Sequence, residues 1–328
     1  MGINTLVESS SAPPEKFTGV LAVVGADGFV GGNLASALQA KKIVYGPCRI
    51  GDIHITQAEE LLKQADVVIN AAGFRVRPGC TYADYQQSHE GATARLVPQI
   101  REGALLLHIS SASVLGKSKH QKLGLQTQAN PTAFPCPAYA LAKLETDQFL
   151  EKASAEHGFK VIFLRPAVIY SPNGASMIET LMRLAKSGIT LRLHPREARH
   201  HLCHTSLLAE VTRRVIEKRD HLPHLSRFIV ADPFTVTNRQ LENMIRRCVA
   251  AKTLTVPIPS GLVTALLSHT FHSKNPKLDF KTRGEIFGVL NMDSEYDPSE
   301  TFTTLGIDAS QYAIEKTLQP LIQQALQQ

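Results

Sequence analysis

No stretch of this sequence approaches the ~20 consecutive apolar residues that a bilayer-spanning helix needs, which excludes that class. Cysteine is sparse. The five present, Cys48, Cys80, Cys136, Cys203 and Cys248, are scattered and form no C-x-x-C pair. A disulfide framework and a zinc ribbon are thereby excluded, and a reducing, cytoplasmic setting is expected. The formal net charge is +6, yet there is no basic run and no basic–aromatic interleaving, so nucleic acid is not an expected partner. A basic pocket for an anionic small molecule accounts for the excess more economically. Internal repeats are missing too. Residues 1–16 are polar, with Ser9–Ser11 and Pro13–Pro14, and lack the basic start and apolar core of a signal peptide. They read as a disordered tail.

With 328 residues, the chain suits one large α/β domain with a smaller partner. Short apolar runs alternate with helical patterns through its first half. Strands are predicted at 19–24, 43–45, 66–70, 105–110 and 161–165, and helices at 31–40, 57–64, 82–101 and 139–157. Continuous apolar runs between helices indicate a doubly wound parallel sheet covered on both faces, a Rossmann-type architecture. After Ser171 the pattern loosens. A helix at 207–218 and a strand at 227–230 are expected to rejoin the sheet. Residues 238–249 read as a helix, Pro257–Pro259 as a break and 309–328 as a terminal helix. The expected division is a dinucleotide-binding domain at 17–170 and 203–233, with a smaller, discontinuous substrate domain at 171–202 and 234–328.

Three segments carry chemistry. Gly25-Ala26-Asp27-Gly28-Phe29-Val30-Gly31 follows the first strand and opens a helix. Glycines there permit a tight turn and close approach of backbone to a pyrophosphate, and the helix N-terminus supplies free N–H groups. Asn70-Ala71-Ala72-Gly73 ends another strand, its small side chains leaving room for a cofactor along the backbone. Tyr139 and Lys143 stand one helical turn apart on one face. A tyrosine titrates near 10, too high for acid–base work at neutral pH, and a neighbouring ammonium, together with the positive nicotinamide ring of a bound dinucleotide, is expected to lower that value. Taken alone, such a Tyr/Lys pair is usually an ordinary surface feature; its order after the glycine turn and the Asn70 segment is what gives it weight.

These segments, with Ser110-Ser111-Ala112-Ser113-Val114-Leu115-Gly116 and Leu164-Arg165-Pro166-Ala167-Val168-Ile169-Tyr170-Ser171-Pro172, resemble the extended short-chain dehydrogenase/reductases of the NAD-dependent epimerase/dehydratase family. The resemblance runs over residues 17–328 and is sharpest from 19 to 172. It implies Ser111, Tyr139 and Lys143 as the catalytic set, with Lys143 bonding the nicotinamide ribose and Ser111 the substrate oxygen. It implies cofactor contacts from Gly25, Asp27, Gly28, Phe29, Val30, Gly31, Asp52, Ile53, Asn70, Ala71, Ala72, Gly73, Ser110, Pro166 and Val168, besides Tyr139 and Lys143. Ser113 and Arg199 are its candidate substrate contacts. A homodimer through the helices at 82–101 and 139–157 is implied as well.

The departures are informative. Ser88 replaces the family's Asn in N-V-x-G-T, Leu115 replaces a Tyr, and Ser206-Leu207 replace an Asp pair. Ala112 and Ser113 stand where family dehydratases carry Asp-Glu, so elimination chemistry is not expected. No acid occupies Tyr45–Arg49, where an NAD enzyme usually places one about 20 residues past the glycines. Arg49 could instead fork onto a 2′-phosphate, or be a surface residue, while a shifted register would bring Asp52 to the ribose. NADP(H) is the expected cofactor, with NAD(H) as the alternative. The expected function is a ketone reductase or alcohol dehydrogenase on a nucleotide-sugar-like molecule. The alternatives are an NAD-retaining epimerase and a non-catalytic dinucleotide sensor; sensors often lose the Tyr or the Lys. His200-His201-x-Cys203-His204 is a poor chelate and reads as a polar wall. Arg192, Arg196 and Arg199 either approach a substrate diphosphate or form a solvated basic loop.

Overall fold

The computed structural model describes residues 17–43, 55–76, 79–118, 121–171, 177–194, 197–249, 253–259, 261 and 291–327. The strands in chain order are β1 (Leu21–Val24), β2 (Lys41–Ile43), β3 (Val67–Asn70), β4 (Leu105–Ile109), β5 (Lys160–Pro166), β6 (Val168–Tyr170), β7 (Ile189–His194), β8 (Arg199–His204), β9 (Leu225–Val230), β10 (Thr235–Thr237) and β11 (Leu254–Pro259). Six of them make one sheet in the order β2-β1-β3-β4-β5-β9. Every neighbouring pair in it is parallel. All residues of β3 and β4 are buried, as apolar runs covered on both faces must be.

Successive side chains feed opposite faces. Val23, Ile69, Leu107 and Leu164 pack against α1 (Phe29–Ala37) and α7 (Thr205–Glu217). Val24, Val68, Leu106 and Phe163 pack against α2 (Ile55–Gln64), α4 (Ala92–Leu96) and α5 (Pro137–His157). This is the parallel, doubly covered α/β arrangement of a Rossmann-like fold. Between β1 and β3 the strand order reverses, the point at which open α/β sheets bind ligands beyond their carboxyl ends.

The later segments hold elements that periodicity did not reveal. A three-stranded sheet, β10-β8-β6, and a parallel pair, β11-β7, pack with α6 (Met177–Lys186) and α8 (Asn238–Cys248). The strap Asp293–Asp297 ties two distant segments together. Ser118 N–H and Leu123 N–H donate to the carbonyls of Asp293 and Glu295, and His201 N–H donates to that of Ser294.

Four expectations need correction. Residues Pro257–Pro259 are not a break but the end of β11, which among the described residues pairs only with β7, so the prolines' missing donors cost no ladder bond. The helix expected at 309–328 is a 3₁₀ turn, Ala309–Tyr312, then α10 (Leu318–Gln327); α9 is Ser299–Leu305. Pro320 explains the division, since proline suits a helix's first turn and not its interior. The helix expected at 82–101 is α3 (Tyr82–Gln86), a π-helical turn (Gln87–Gly91), α4 and a 3₁₀ turn beginning at Val97 before Pro98. The histidines read as a polar wall lie on β8, where His200 and His201 are fully buried.

Candidate active site

The glycine turn and the Asn70 segment meet at the carboxyl edge of β1 and β3. Gly25 has φ +78°, and a Cβ there would lie 2.9 Å from the Ala72 backbone. Its carbonyl accepts the Gly28 N–H at 3.0 Å, closing the turn. A Cβ on Gly31 would lie 2.1 Å from that same carbonyl oxygen, so only glycine lets α1 start this close to β1. Gly28 is the N-cap of α1 and no side chain caps the helix, leaving its first N–H groups to a ligand. Asp27 is exposed in the turn, and Phe29 and Val30 open the helix half-buried. Asn70 is buried; its Nδ2 donates to Thr93 Oγ1 (3.1 Å) and its Oδ1 accepts the Ala72 N–H (3.2 Å), which pins the small-residue segment.

Ser110 and Ser111 follow the end of β4, and Tyr139 and Lys143 lie in the first two turns of α5, which starts at Pro137. Proline at a helix's first position costs no hydrogen bond, so Pro137 sets where the helix begins. The structure brings Ser111, Tyr139 and Lys143 together. Ser111 stands beside Tyr139, near enough to favour its phenolate, and Ser113 Oγ donates to Ser111 Oγ at 2.8 Å. Burial pushes the Tyr139 phenol up to about 12, with the nearby Ser111 hydroxyl acting against it. The expected lowering by Lys143 is therefore not found in the protein alone. Lys143 Nζ instead donates to the Ile109 carbonyl at 2.9 Å, and burial pulls its ammonium down to about 8. The Tyr139 ring is held edge-on by Tyr85 and His89, with centroids 5.6 and 5.7 Å away.

The profile of the NAD dependent epimerase/dehydratase family matches residues 21–231. The chain belongs to this family. A UDP-glucose 4-epimerase from Vibrio cholerae is 27% identical over 190 residues, which is 52% of this chain and 57% of that protein, so the match spans little more than half of the relative. Among solved structures, UDP-glucuronic acid 4-epimerase from Bacillus cereus in complex with NAD has a TM-score of 0.69 at 16% identity, over 93% of this chain and 99% of that one. RMD from Pseudomonas aeruginosa complexed with NADPH has 0.68 at 16%, over 95% and 100%. At such identities these structures establish the shared fold.

Several residues of this epimerase/dehydratase family member escaped sequence reasoning. The π-helical turn buries both Ser88 and His89: Ser88 Oγ accepts the Phe74 N–H, and the His89 ring fills the space a side chain on Gly73 would need. Behind Lys143 lies a buried polar layer of His108 on β4, Asp147 on α5 and Arg165 on β5. Only the spacing of Asp147, one turn beyond Lys143, hinted at it. Pro166 ends β5 and Val168 opens β6, at the same edge of the sheet as Ser110. Arg49, Asp52, Ile53 and Arg196 lie outside the described residues. Arg192 is not a free anion binder: its guanidinium makes two 2.8 Å bonds to Glu242. Arg199 is exposed at the start of β8, with its backbone N–H on Asp293. His200 bonds Asn238 and Ser294, His201 Nδ1 accepts the Tyr296 N–H, and His204 caps α7.

Proposed function

We propose that this protein is a nicotinamide-dinucleotide-dependent oxidoreductase that interconverts a ketone and a secondary alcohol on a nucleotide-sugar-like small molecule. The observation that carries the reading is the buried Tyr139–Lys143 face of α5 set against the Ser111 loop, where Lys143 Nζ donates to the Ile109 carbonyl at 2.9 Å, at the sheet edge where the glycine turn lies. The turn suits a dinucleotide: the positions where a Cβ would collide with backbone, at Gly25 and Gly31, are those where a pyrophosphate must come close. When bound, the dinucleotide supplies or takes up the hydride. The first N–H groups of α1 hold its phosphates, and Asn70–Gly73, Ser110, Pro166 and Val168 border it.

The protein's own part is proton handling. With its phenol near 12, Tyr139 keeps its proton at neutral pH, the state needed to protonate a ketone oxygen. Ser113 donates to Ser111, which leaves the Ser111 proton for the substrate oxygen or for the phenol beside it. In the oxidative direction Tyr139 must ionise, and Lys143 is the cation placed to support it. Tyr139→Phe should lower turnover by about 10²–10⁴ while leaving dinucleotide affinity intact; wild-type turnover in that variant refutes the assignment. NADP(H) is the proposed cofactor, on the acid-free stretch Tyr45–Arg49. Fluorescence titration with both reduced dinucleotides tests it, and tighter NADH binding, unchanged in Arg49→Ala, overturns it.

A second reading is favoured by the similarity to a UDP-glucose 4-epimerase: oxidation and re-reduction of one carbon with the dinucleotide retained. Mass spectrometry of the purified protein separates the two. Retained NAD supports epimerisation, and activity only on added NADPH supports reduction.

A further inference from the structure

The face of α5 below Tyr139 carries more charge than proton exchange with a substrate requires. Lys143 and Asp147 follow Tyr139 at successive turns of that face. Asp147 is fully buried. Its Oδ2 accepts from Arg165 Nη2 at 3.0 Å and from Ser110 Oγ at 2.9 Å, while Oδ1 lies 4.0 Å from His108 Nε2. Arg165 is 5% exposed, so the pair is sealed from water. A sealed ion pair is a poor way to gain stability, because desolvation offsets much of the attraction and apolar residues of like volume serve as well or better. Its position points to another role.

Among the described residues, the charged and titratable groups around Lys143 come from four elements. On α5 they are Tyr139 and Asp147, on the π-helical turn His89, on β4 His108, and beyond Asp147 on β5 Arg165. Burial holds both imidazoles neutral. Tyr139 is neutral as well. The carboxylate of Asp147 is then the charge that acts on Lys143, and it favours the ammonium against burial. Arg165 and Ser110 in turn favour the ionised form of Asp147 against its own burial.

We propose that the Asp147–Arg165 pair is a positioning device that fixes the charge on Lys143, and through it the pH range in which Tyr139 exchanges its proton. The idea rests on the acid–base reading of Tyr139 and Lys143. Ser110 ties it to the catalytic set, because its hydroxyl holds Asp147 while the next residue along the chain is Ser111, which stands beside Tyr139. Above the pH at which Lys143 loses its proton, Tyr139 has no cation beside it, and turnover in the oxidative direction fades. Removing the carboxylate moves that limit to lower pH.

The test follows the Lys143 side-chain nitrogen by ¹⁵N NMR in the full-length, cofactor-free protein, with Lys143→Arg identifying the signal. In Asp147→Asn the titration midpoint should fall by about one pH unit, the size expected for loss of one nearby charge. Asp147→Glu, which keeps the charge, should restore it. Where Asp147→Asn fails to fold because Arg165 is stranded, the double variant Asp147→Asn/Arg165→Met removes both charges and must still show a lowered midpoint. An unchanged Lys143 midpoint alongside a lower Tm means a merely structural pair and overturns the proposal. The high-pH limb of oxidative turnover should move with the NMR midpoint. Wild-type turnover in Tyr139→Phe would instead defeat the acid–base reading while leaving the NMR result standing.

Discussion

Gly31→Ala is the sharpest probe of the glycine turn. A Cβ at this position would lie 2.1 Å from the Gly25 carbonyl oxygen and 2.7 Å from its carbon. A carbon–oxygen contact needs roughly 3.3 Å, so the overlap is about 1.2 Å. The atoms struck are backbone, and the same carbonyl already accepts the Gly28 N–H, so no rotamer change relieves the clash. Either α1 moves off β1 or the turn opens. Overpacking of this kind costs about 1–3 kcal/mol, which at about 2–4 °C per kcal/mol lowers Tm by roughly 2–12 °C. Displacing the first N–H groups of α1 should also weaken dinucleotide binding at least tenfold, about 1.4 kcal/mol. Gly32→Ala is the control. Its Cβ would stand 3.1 Å from the Ala26 carbonyl oxygen, a tight contact that a small shift relieves, and alanine's helix preference of about 1 kcal/mol offsets it. Thermal unfolding and fluorescence titration of both variants decide the matter. Wild-type Tm and affinity in Gly31→Ala would refute the close-approach argument.

Asp232 offers a pH test of the fold. Burial raises its carboxyl from 3.8 to about 6, although Tyr170 Oη and the His204 N–H both donate to it. The native state therefore holds this proton more tightly than the unfolded chain. The contribution is complete below about pH 4 and is lost as pH rises through 6, by an amount on the order of 3 kcal/mol. Urea melts of wild type and Asp232→Asn from pH 4 to 7 should diverge in slope across that window; parallel curves contradict it. Arg192→Gln should lower Tm, because it deprives the buried Glu242 of the two hydrogen bonds from the guanidinium, and should leave KM unchanged; a tenfold rise in KM would make Arg192 a substrate ligand. We propose a homodimer through the helical run at 82–101 and α5, which pack on each other and are joined by the Tyr82–Glu145 hydrogen bond. Light scattering at micromolar protein should give twice the chain mass, and a monomer would count against it.

The parts of the site that could be read in advance are those where a local rule forces the residue. A chain turning from strand to helix beside a phosphate needs glycine, and a Tyr/Lys pair on one helical face needs its four-residue spacing. The polar layer behind Lys143 obeys no such rule. His108, Asp147 and Arg165 come from three elements and meet only after the sheet forms. The π-helical turn was hidden because one extra residue hardly disturbs an apolar pattern, yet that residue lets both Ser88 and His89 face inward. Short strands rich in histidine or proline, β8 and β11, were lost because their alternation is brief and their residues signal loops elsewhere. Tyr139 shows a different limit. Its spacing to Lys143 was plain, but whether burial or the ammonium governs the phenol depends on where Lys143 Nζ points.

The strap Asp293–Asp297 places the chain's own timetable inside its structure. Glu295 N–H reaches Ser118 Oγ across 177 residues of sequence, and Tyr296 N–H reaches His201 Nδ1 across 95. Contacts of such long range come late in folding, because the loop between the partners must close before they can form. A nascent chain that has reached α8 already contains Ser111, Tyr139 and Lys143, but residues 118 and 123 still wait for their backbone partners. Residues 118 and 123 thus gain these partners only once synthesis has passed the strap.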